Sequence, residues 1–480
     1  MRADSFAGSL PLECRDARTP SGETLTAAAT TLAQQSAESL GRILPLWSLL
    51  PFVALLASIA ILPLIAHRWW GQNRNRAIAS ALCAVPFAAA LLIAHPSQGS
   101  HALLGAILDY ASFVSLLLAL YVISGGIYVR GSLAGTPLSN TALVGIGAIL
   151  ANLIGTTGAS MVLIRPLLRA NKSRRRKTHL VVFFIFVVSN CGGLLTPLGD
   201  PPLFLGFLKG VPFLWTLSLW KPWLLVNGTL LLIFHVVDGW TLDREEAERR
   251  GSQLEAVLRH EKPGLEGWHN VVLLAGVILV ILGRGQGWGS ASGHWPFGVQ
   301  EILLGLLAMA AYRLTKPATR AKNSFTMAPI VEVAVLFAGI FVTMVAPLEI
   351  LNARGGQLGL ERPWHYFWAS GLLSSFLDNA PTYMTFAASA CGRAGVSVES
   401  PRYLAEFLQR TPLDAAILAA ISCGSVMMGA NSYIGNGPNF MVKAIAEENG
   451  IQMPSFFGYL GWSATVLIPV FVFVSLVFFA

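Results

Sequence analysis

Long apolar runs, separated by short polar or basic segments, recur along the chain from Leu46 to Phe479. About 20 apolar residues suffice to cross a bilayer as a helix. The pattern predicts spanning helices over 46–66, 78–94, 104–129, 180–208, 221–238, 269–283, 298–313, 326–348, 412–445 and 457–479. Two more apolar segments, 139–169 and 366–390, are interrupted at the centre. The first reads Asn152-Leu153-Ile154-Gly155-Thr156-Thr157-Gly158-Ala159-Ser160, the second Ser374-Ser375-Phe376-Leu377-Asp378-Asn379-Ala380-Pro381-Thr382. Irregular polar backbone survives at membrane depth only where protein or a wet cavity covers it. Both segments are therefore predicted to be re-entrant hairpins, and the fold an all-α polytopic membrane protein.

The two halves of the chain match in order. Ser189-x-x-x-Gly193-x-x-Thr196-x-Leu198-Gly199-Asp200-x-Pro202 aligns with Ser425-x-x-x-Gly429-x-x-Ser432-x-Ile434-Gly435-Asn436-x-Pro438, and Gly126-Ile127-Tyr128-Val129 with Gly339-Ile340-Phe341-Val342. Each half then holds five spans and one hairpin, an odd number of crossings, so the second half is expected upside down relative to the first. Paired Gly/Pro-interrupted segments at corresponding positions point to a transporter binding site built on discontinuous helices. The expected divisions are a poorly ordered polar extension (1–44), a first repeat (45–240), a cytoplasmic linker (241–268) and a second repeat (269–480).

Composition agrees with the class: 54% of the 480 residues are hydrophobic and only 12% charged, about half the charged share of soluble domains. The net charge of +8 sits in loops, where it reports orientation instead of nucleic-acid binding. Arg68, Arg74 and Arg76, the cluster Arg165 to Lys177, and Arg313, Lys316, Arg320 and Lys322 all fall on one side if that side is cytoplasmic. The N-terminus is then outside, in a bacterial inner membrane. The cysteines, Cys14, Cys83, Cys191, Cys391 and Cys423, are scattered without metal or disulfide spacing. No nucleophile elbow or Walker A segment is present. The chain is read as neither an enzyme nor a primary pump, with no cofactor beyond Na⁺ or H⁺ as coupling ions.

The breaks carry the candidate chemistry. Asp200 before Pro201-Pro202 and Asn436 before Gly437-Pro438 read either as N-caps of half-helices or as ion ligands. Thr157 and Asn379 read as caps in the hairpins. Half-helix N-termini favour anions, and unwound carbonyls favour Na⁺. Asn152, Thr156, Thr157, Ser189, Asn190, Thr196, Thr382, Ser425, Asn431 and Ser432 add amide and hydroxyl oxygens at the same breaks. An ionisable residue inside a membrane segment is costly and is a functional candidate by default. Asp378 is the favoured one, with Asp200 and Glu332 as further proton carriers; Asp109 lies nearer a span end.

The stretches Ser189 to Pro202, Leu377 to Pro381 and Gly429 to Asn439 resemble the ion transporter superfamily. Within it the chain is similar to NhaD-type sodium:proton antiporters and to the citrate transporters of the CitMHS group, over about residues 45–480. The resemblance implies a homodimer, a scaffold with a mobile transport unit, elevator-like alternating access, and a site at the hairpin tips and broken helices. The tips, Gly155-Thr156-Thr157 and Asp378-Asn379-Ala380, depart from the Ser-Asn-Thr signatures of carboxylate transporters in the superfamily. Sodium:proton antiport is therefore the leading expectation. Cation-coupled transport of citrate or another organic anion is the alternative, oxyanion or arsenite efflux a weaker one, and a non-transporting receptor or assembly factor the weakest.

Overall fold

The computed structural model describes residues 40–130, 135–248, 264–290, 295–323 and 325–480. Residues 1–39 of the expected extension and 249–263 of the expected linker lie outside the described residues. The bundle is built from α1 (Leu50–Ile65), α2 (Asn73–Ala94), α3 (Pro96–Ser124), α4 (Pro137–Ala170), α5 (Thr178–Val187), α6 (Pro201–Leu208), α7 (Trp220–Glu248) and α8 (His269–Gln286). It continues through α9 (Val299–Leu314), α10 (Ala328–Thr343), α11 (Val345–Arg354), α12 (Pro363–Ser374), α13 (Asn379–Arg393), α14 (Pro412–Met428), α15 (Gly437–Glu448) and α16 (Phe456–Phe478). Among the described residues, eight helices have the length and apolarity to cross a membrane, and a ninth forms if the pair bent by 40° after Thr343 counts as one span. The chain is an all-α, polytopic membrane protein, apart from one short ribbon.

That ribbon corrects the expected span 104–129. The helix starts earlier, at Pro96, and ends at Ser124; beyond it β1 (Tyr128–Arg130) pairs antiparallel with β2 (Gly264–Glu266). Glu266 accepts from Lys322 at 2.7 and 2.9 Å and pairs with Arg130 at 3.5 Å. The Lys322 ammonium holds the Glu266 carboxyl below its usual range, with Arg130 adding to the effect.

Burial separates helices that face lipid from those that hold the breaks. Leu82, Val85 and Ile93 on α2 and Leu232 and Val236 on α7 are exposed apolar residues, as expected of a lipid-facing surface. In contrast, every residue of α5 from His179 to Val187 is buried. A helix apolar all round belongs inside the protein. At 10 residues it rises only about 15 Å, half a bilayer. The chain then loses its α-helical ladder from Ser189 to Asp200, with one 3-10 turn at Cys191–Leu194, and resumes as α6. The predicted span 180–208 is thus two half-helices and a break. The span predicted at 412–445 likewise divides into α14 and α15.

Both predicted hairpin segments are interrupted at the predicted centre. In α4 the helix is interrupted at Gly155 (φ 77°, ψ 156°). Asn140 near its start and Asn171 just past its end exchange hydrogen bonds of 3.0 and 2.7 Å, so the two ends of the segment lie together. The arms of the second hairpin, α12 and α13, have 12 and 15 residues and are each too short to span a bilayer. Close packing holds α12 on α14: a Cβ at Gly371 would strike Met428, and one at Gly424 the backbone of Phe367. Small residues at such contacts let helix backbones approach without a hydrophobic drive from lipid.

Candidate functional site

Four interrupted segments converge on Asp200. Its side chain is buried and makes no cap hydrogen bond to α6. Instead Oδ1 accepts from Thr156 Oγ1 at 2.8 Å and from Asn436 Nδ2 at 3.2 Å, while Oδ2 accepts from Asn379 Nδ2. These donors come from the first hairpin tip, the second broken helix and the second hairpin tip. Pro202, at the second helical position, has no N–H for a capping side chain, and the Leu203 N–H donates to the Asp200 carbonyl at 3.1 Å. The Asp200 side chain points away from its own helix. Asn436 does not cap either; it also donates to the Ser189 carbonyl (3.2 Å) and to Asn190 Oδ1 (3.3 Å).

Capping in the second hairpin falls one residue before the predicted position. Asp378, half-buried, is the N-cap of α13 and accepts from the Ala380 N–H at 3.0 Å. Asn379 turns to Asp200 instead. Thr382 donates to the Asp378 carbonyl at 2.9 Å, one turn back. Thr157 is half-buried and lines the cavity described below, while its neighbour Thr156 donates its N–H to the Gly199 carbonyl at 2.8 Å.

The remaining polar residues hold the breaks together. Thr196 donates to the Asn152 carbonyl, and the Leu198 N–H donates to the Thr196 hydroxyl at 3.2 Å. In the other half Ser432 donates to the Ser375 carbonyl at 2.5 Å, and the Ile434 N–H to the Ser432 hydroxyl at 3.2 Å. Asn152 Oδ1 accepts the Leu195 N–H at 2.7 Å, and Ser189 shares a hydroxyl contact of 2.9 Å with Ser160. Asn190 donates to the Ile185 carbonyl and to Asn439 Oδ1, at 2.8 and 2.7 Å. Asn431 donates to Ser375 Oγ at 2.9 Å, and the Ser425 carbonyl accepts from Ser374 at 2.6 Å. Glu332 shares none of these bonds; it pairs with Arg76 at 3.0 Å.

Sequence reasoning did not single out Asn439, which donates to the Gly429 and Ser432 carbonyls at 2.9 Å each and bridges to Asn190. Its signal was available, one turn after the aligned Asn436. Trp223 and Asn227 on α7 were missed as well. They donate to the Gly192 and Cys191 carbonyls, at 2.8 and 3.1 Å. Polar residues on an otherwise apolar span are the cue.

Electrostatically the cluster is one-sided. Among the described residues no Lys or Arg pairs with Asp200, and Asn379 Oδ1, Asn431 Oδ1 and Ser425 Oγ are buried without a hydrogen-bond partner. No three His, Cys, Asp or Glu residues converge among the described residues, so the oxygens on offer are the Asp200 carboxylate, that of Asp378 next to Asn379, and amides, hydroxyls and carbonyls. That donor set suits a proton or a hard cation. A cavity of 70 Å³ touches Asp200, Thr156, Thr157, Leu198 and Gly199. A water fills about 30 Å³, so this space admits an ion with a water or two. A separate cavity of 730 Å³ is lined by Asp109, Lys209, Arg284 and Glu301, with Lys209 donating to Asp109.

Residues 41–479 match a family model described as "Putative citrate transport". The chain belongs to this family. No curated protein matches it. The buried, uncompensated carboxylate therefore sits in a multi-span membrane protein of a citrate-transporter family, which supports secondary transport.

The first hairpin supplies a direct test of this geometry. A φ of 77° with ψ of 156° is essentially glycine-only backbone, and a Cβ at Gly155 would also meet the Leu198 carbonyl at 3.3 Å. Gly155→Ala is expected to cost about 1–3 kcal/mol and to displace the Thr156 hydroxyl from Asp200. Gly155→Asn should fare no better, because asparagine tolerates the left-handed helical region and not this ψ. A normal melting midpoint and normal transport in Gly155→Ala protein would show that the turn is not needed.

Proposed function

We propose that the protein is a secondary active transporter carrying citrate or a related organic carboxylate, coupled to a cation that Asp200 holds. The observation that carries this reading is the Asp200 carboxylate, buried and bonded by three neutral donors from three other interrupted segments. A carboxylate beside an anionic substrate repels it unless a proton or metal cation is bound. Coupling follows from that requirement: anion and cation are favourable together and unfavourable apart. Family membership supports the carboxylate as cargo.

Sodium:proton antiport is the second reading, favoured by the small cavity at Asp200, which fits a bare ion better than a tricarboxylate. The matched pairs Thr196–Asn152 and Ser432–Ser375 support two inverted repeats, 45–240 and 269–480. The reading extends to elevator-like movement of the hairpins and broken helices against a scaffold, in a homodimer. It places the N-terminus outside and the protein in a bacterial inner membrane.

Proteoliposomes distinguish the two readings. Citrate carriage predicts labelled-citrate accumulation under an inward proton or Na⁺ gradient, falling to the equilibrium level when both gradients are removed. Antiport predicts that Na⁺ collapses a preset pH gradient without citrate. Citrate uptake in neither gradient would end the first reading, and the Na⁺ response would then decide the second.

A further inference from the structure

At the end of the bundle where the basic loops gather, a cleft of 510 Å³ opens between α5, α7 and α16. Arg175, Arg176, Lys177 and Arg244 line it, with Trp240 and Trp462 on its walls, and no acidic side chain lines it among the described residues. This cluster is held in place. Arg174 points inward to Asp238 at 2.6 Å, while the Glu245 carboxylate accepts the N–H groups of Arg175 (3.3 Å) and Arg176 (2.5 Å). Glu245 is itself 4% exposed, so its charge is spent on the backbone. The Arg175 and Arg176 side chains are exposed. The Arg244 guanidinium lies 3.6 Å from the centre of the Trp240 ring. Asp243 and Glu246 are exposed on α7 but do not line the cleft.

Such a set of cations suits a phosphate, and the adjoining surface says which kind. Leu232, Val236 and Trp240 are 66%, 62% and 57% exposed, and their four-residue spacing makes them neighbours along the helix surface. From Leu232 to Arg244 the helix rises about 18 Å, on the order of one leaflet of a ~30 Å hydrocarbon core. The apolar stripe ends at Arg244, the rim of the basic cleft. Tryptophans at that level mark the membrane–water boundary. A free phosphate would use the cations and leave the stripe unused.

We propose that this cleft seats the headgroup phosphate of an anionic phospholipid, with an acyl chain along Leu232, Val236 and Trp240. The site is separate from Asp200 and independent of what is transported. The Arg175 and Arg244 guanidinium groups meet the phosphate, and Trp240 divides headgroup from chain. By the positive-inside rule the lipid belongs to the cytoplasmic leaflet.

The test is lipid titration of the purified full-length protein in detergent, read by native mass spectrometry. Phosphatidylglycerol should bind in preference to phosphatidylcholine, and inorganic phosphate should not displace it. Arg175→Gln/Arg244→Gln protein should bind phosphatidylglycerol about 30-fold more weakly, at roughly five-fold per basic residue. Equal affinity for the two lipids, or an unchanged double variant, would overturn the site. Full displacement by phosphate would overturn the lipid in favour of a soluble anion. Should the double variant fail to fold, the wild-type protein titrated with the two lipids and with phosphate still separates these outcomes.

Discussion

Asp200→Asn is expected to lower initial transport by about 100-fold while leaving the protein folded. Each hydrogen bond to a charged group is worth about 1.5–3 kcal/mol, and the carboxylate accepts three of them. An amide of the same size has one accepting atom, so at least one of Thr156, Asn379 and Asn436 would face a donor. Loss of one or two such bonds corresponds to the stated factor at 1.4 kcal/mol per tenfold. The variant also removes the charge that any coupling cation needs. Asp378→Asn is the informative partner. Asparagine caps helices about as well as aspartate, so as a cap Asp378 should be replaceable with little loss. Uptake measured on both variants in liposomes orders the two acids. An inert Asp200→Asn beside an inactive Asp378→Asn would move the centre of the site to the second hairpin tip.

The largest expected stability effect lies elsewhere, at Asp238 on α7. This carboxylate is fully buried and accepts from Arg174 at 2.6 Å, His179 at 2.8 Å and Asn140 at 2.8 Å. Through Asn140 it is joined to Asn171, so it ties the two ends of the first hairpin to α5 and α7. Asp238→Ala would strand the Arg174 charge, whose side chain is 4% exposed. Breaking a buried pair on one side costs about 3–5 kcal/mol, and a marked fall in melting midpoint in detergent should follow. Replacing both charges by apolar groups of similar size often costs little. Arg174→Met/Asp238→Leu should therefore recover part of the loss, with His179 and Asn140 still lacking their acceptor. A single variant as stable as wild type would mean that water reaches the pair and the hairpin is anchored by other contacts.

Much of the architecture was legible in the linear pattern. Spans and interruptions are properties of consecutive residues: twenty apolar positions make a membrane helix, and Gly199-Asp200-Pro201-Pro202 stops one wherever it occurs. The boundaries were less legible. Ser124 ends a helix expected to run to 129 because the next residues pair with Gly264–Glu266, 136 positions away by the register Tyr128↔Glu266 and Arg130↔Gly264 taken at its inner pair (Val129 with Leu265). No local cue carries that pairing.

The assignment of function among acids was less legible still. Asp200, Asp378 and Glu332 are alike as letters in apolar surroundings. Their differences lie in what each side chain meets: Ala380 two residues on for Asp378, Arg76 on a distant helix for Glu332, and for Asp200 three donors 44, 179 and 236 residues away. The amino-acid sequence by itself determined which segments are apolar enough to enter a membrane and where its helices must break, since apolar length and backbone stereochemistry act locally. Only the tertiary structure decided that the breaks meet on one carboxylate, because whether an acid caps its own helix or reaches across to others depends on which distant groups packing brings within hydrogen-bond range.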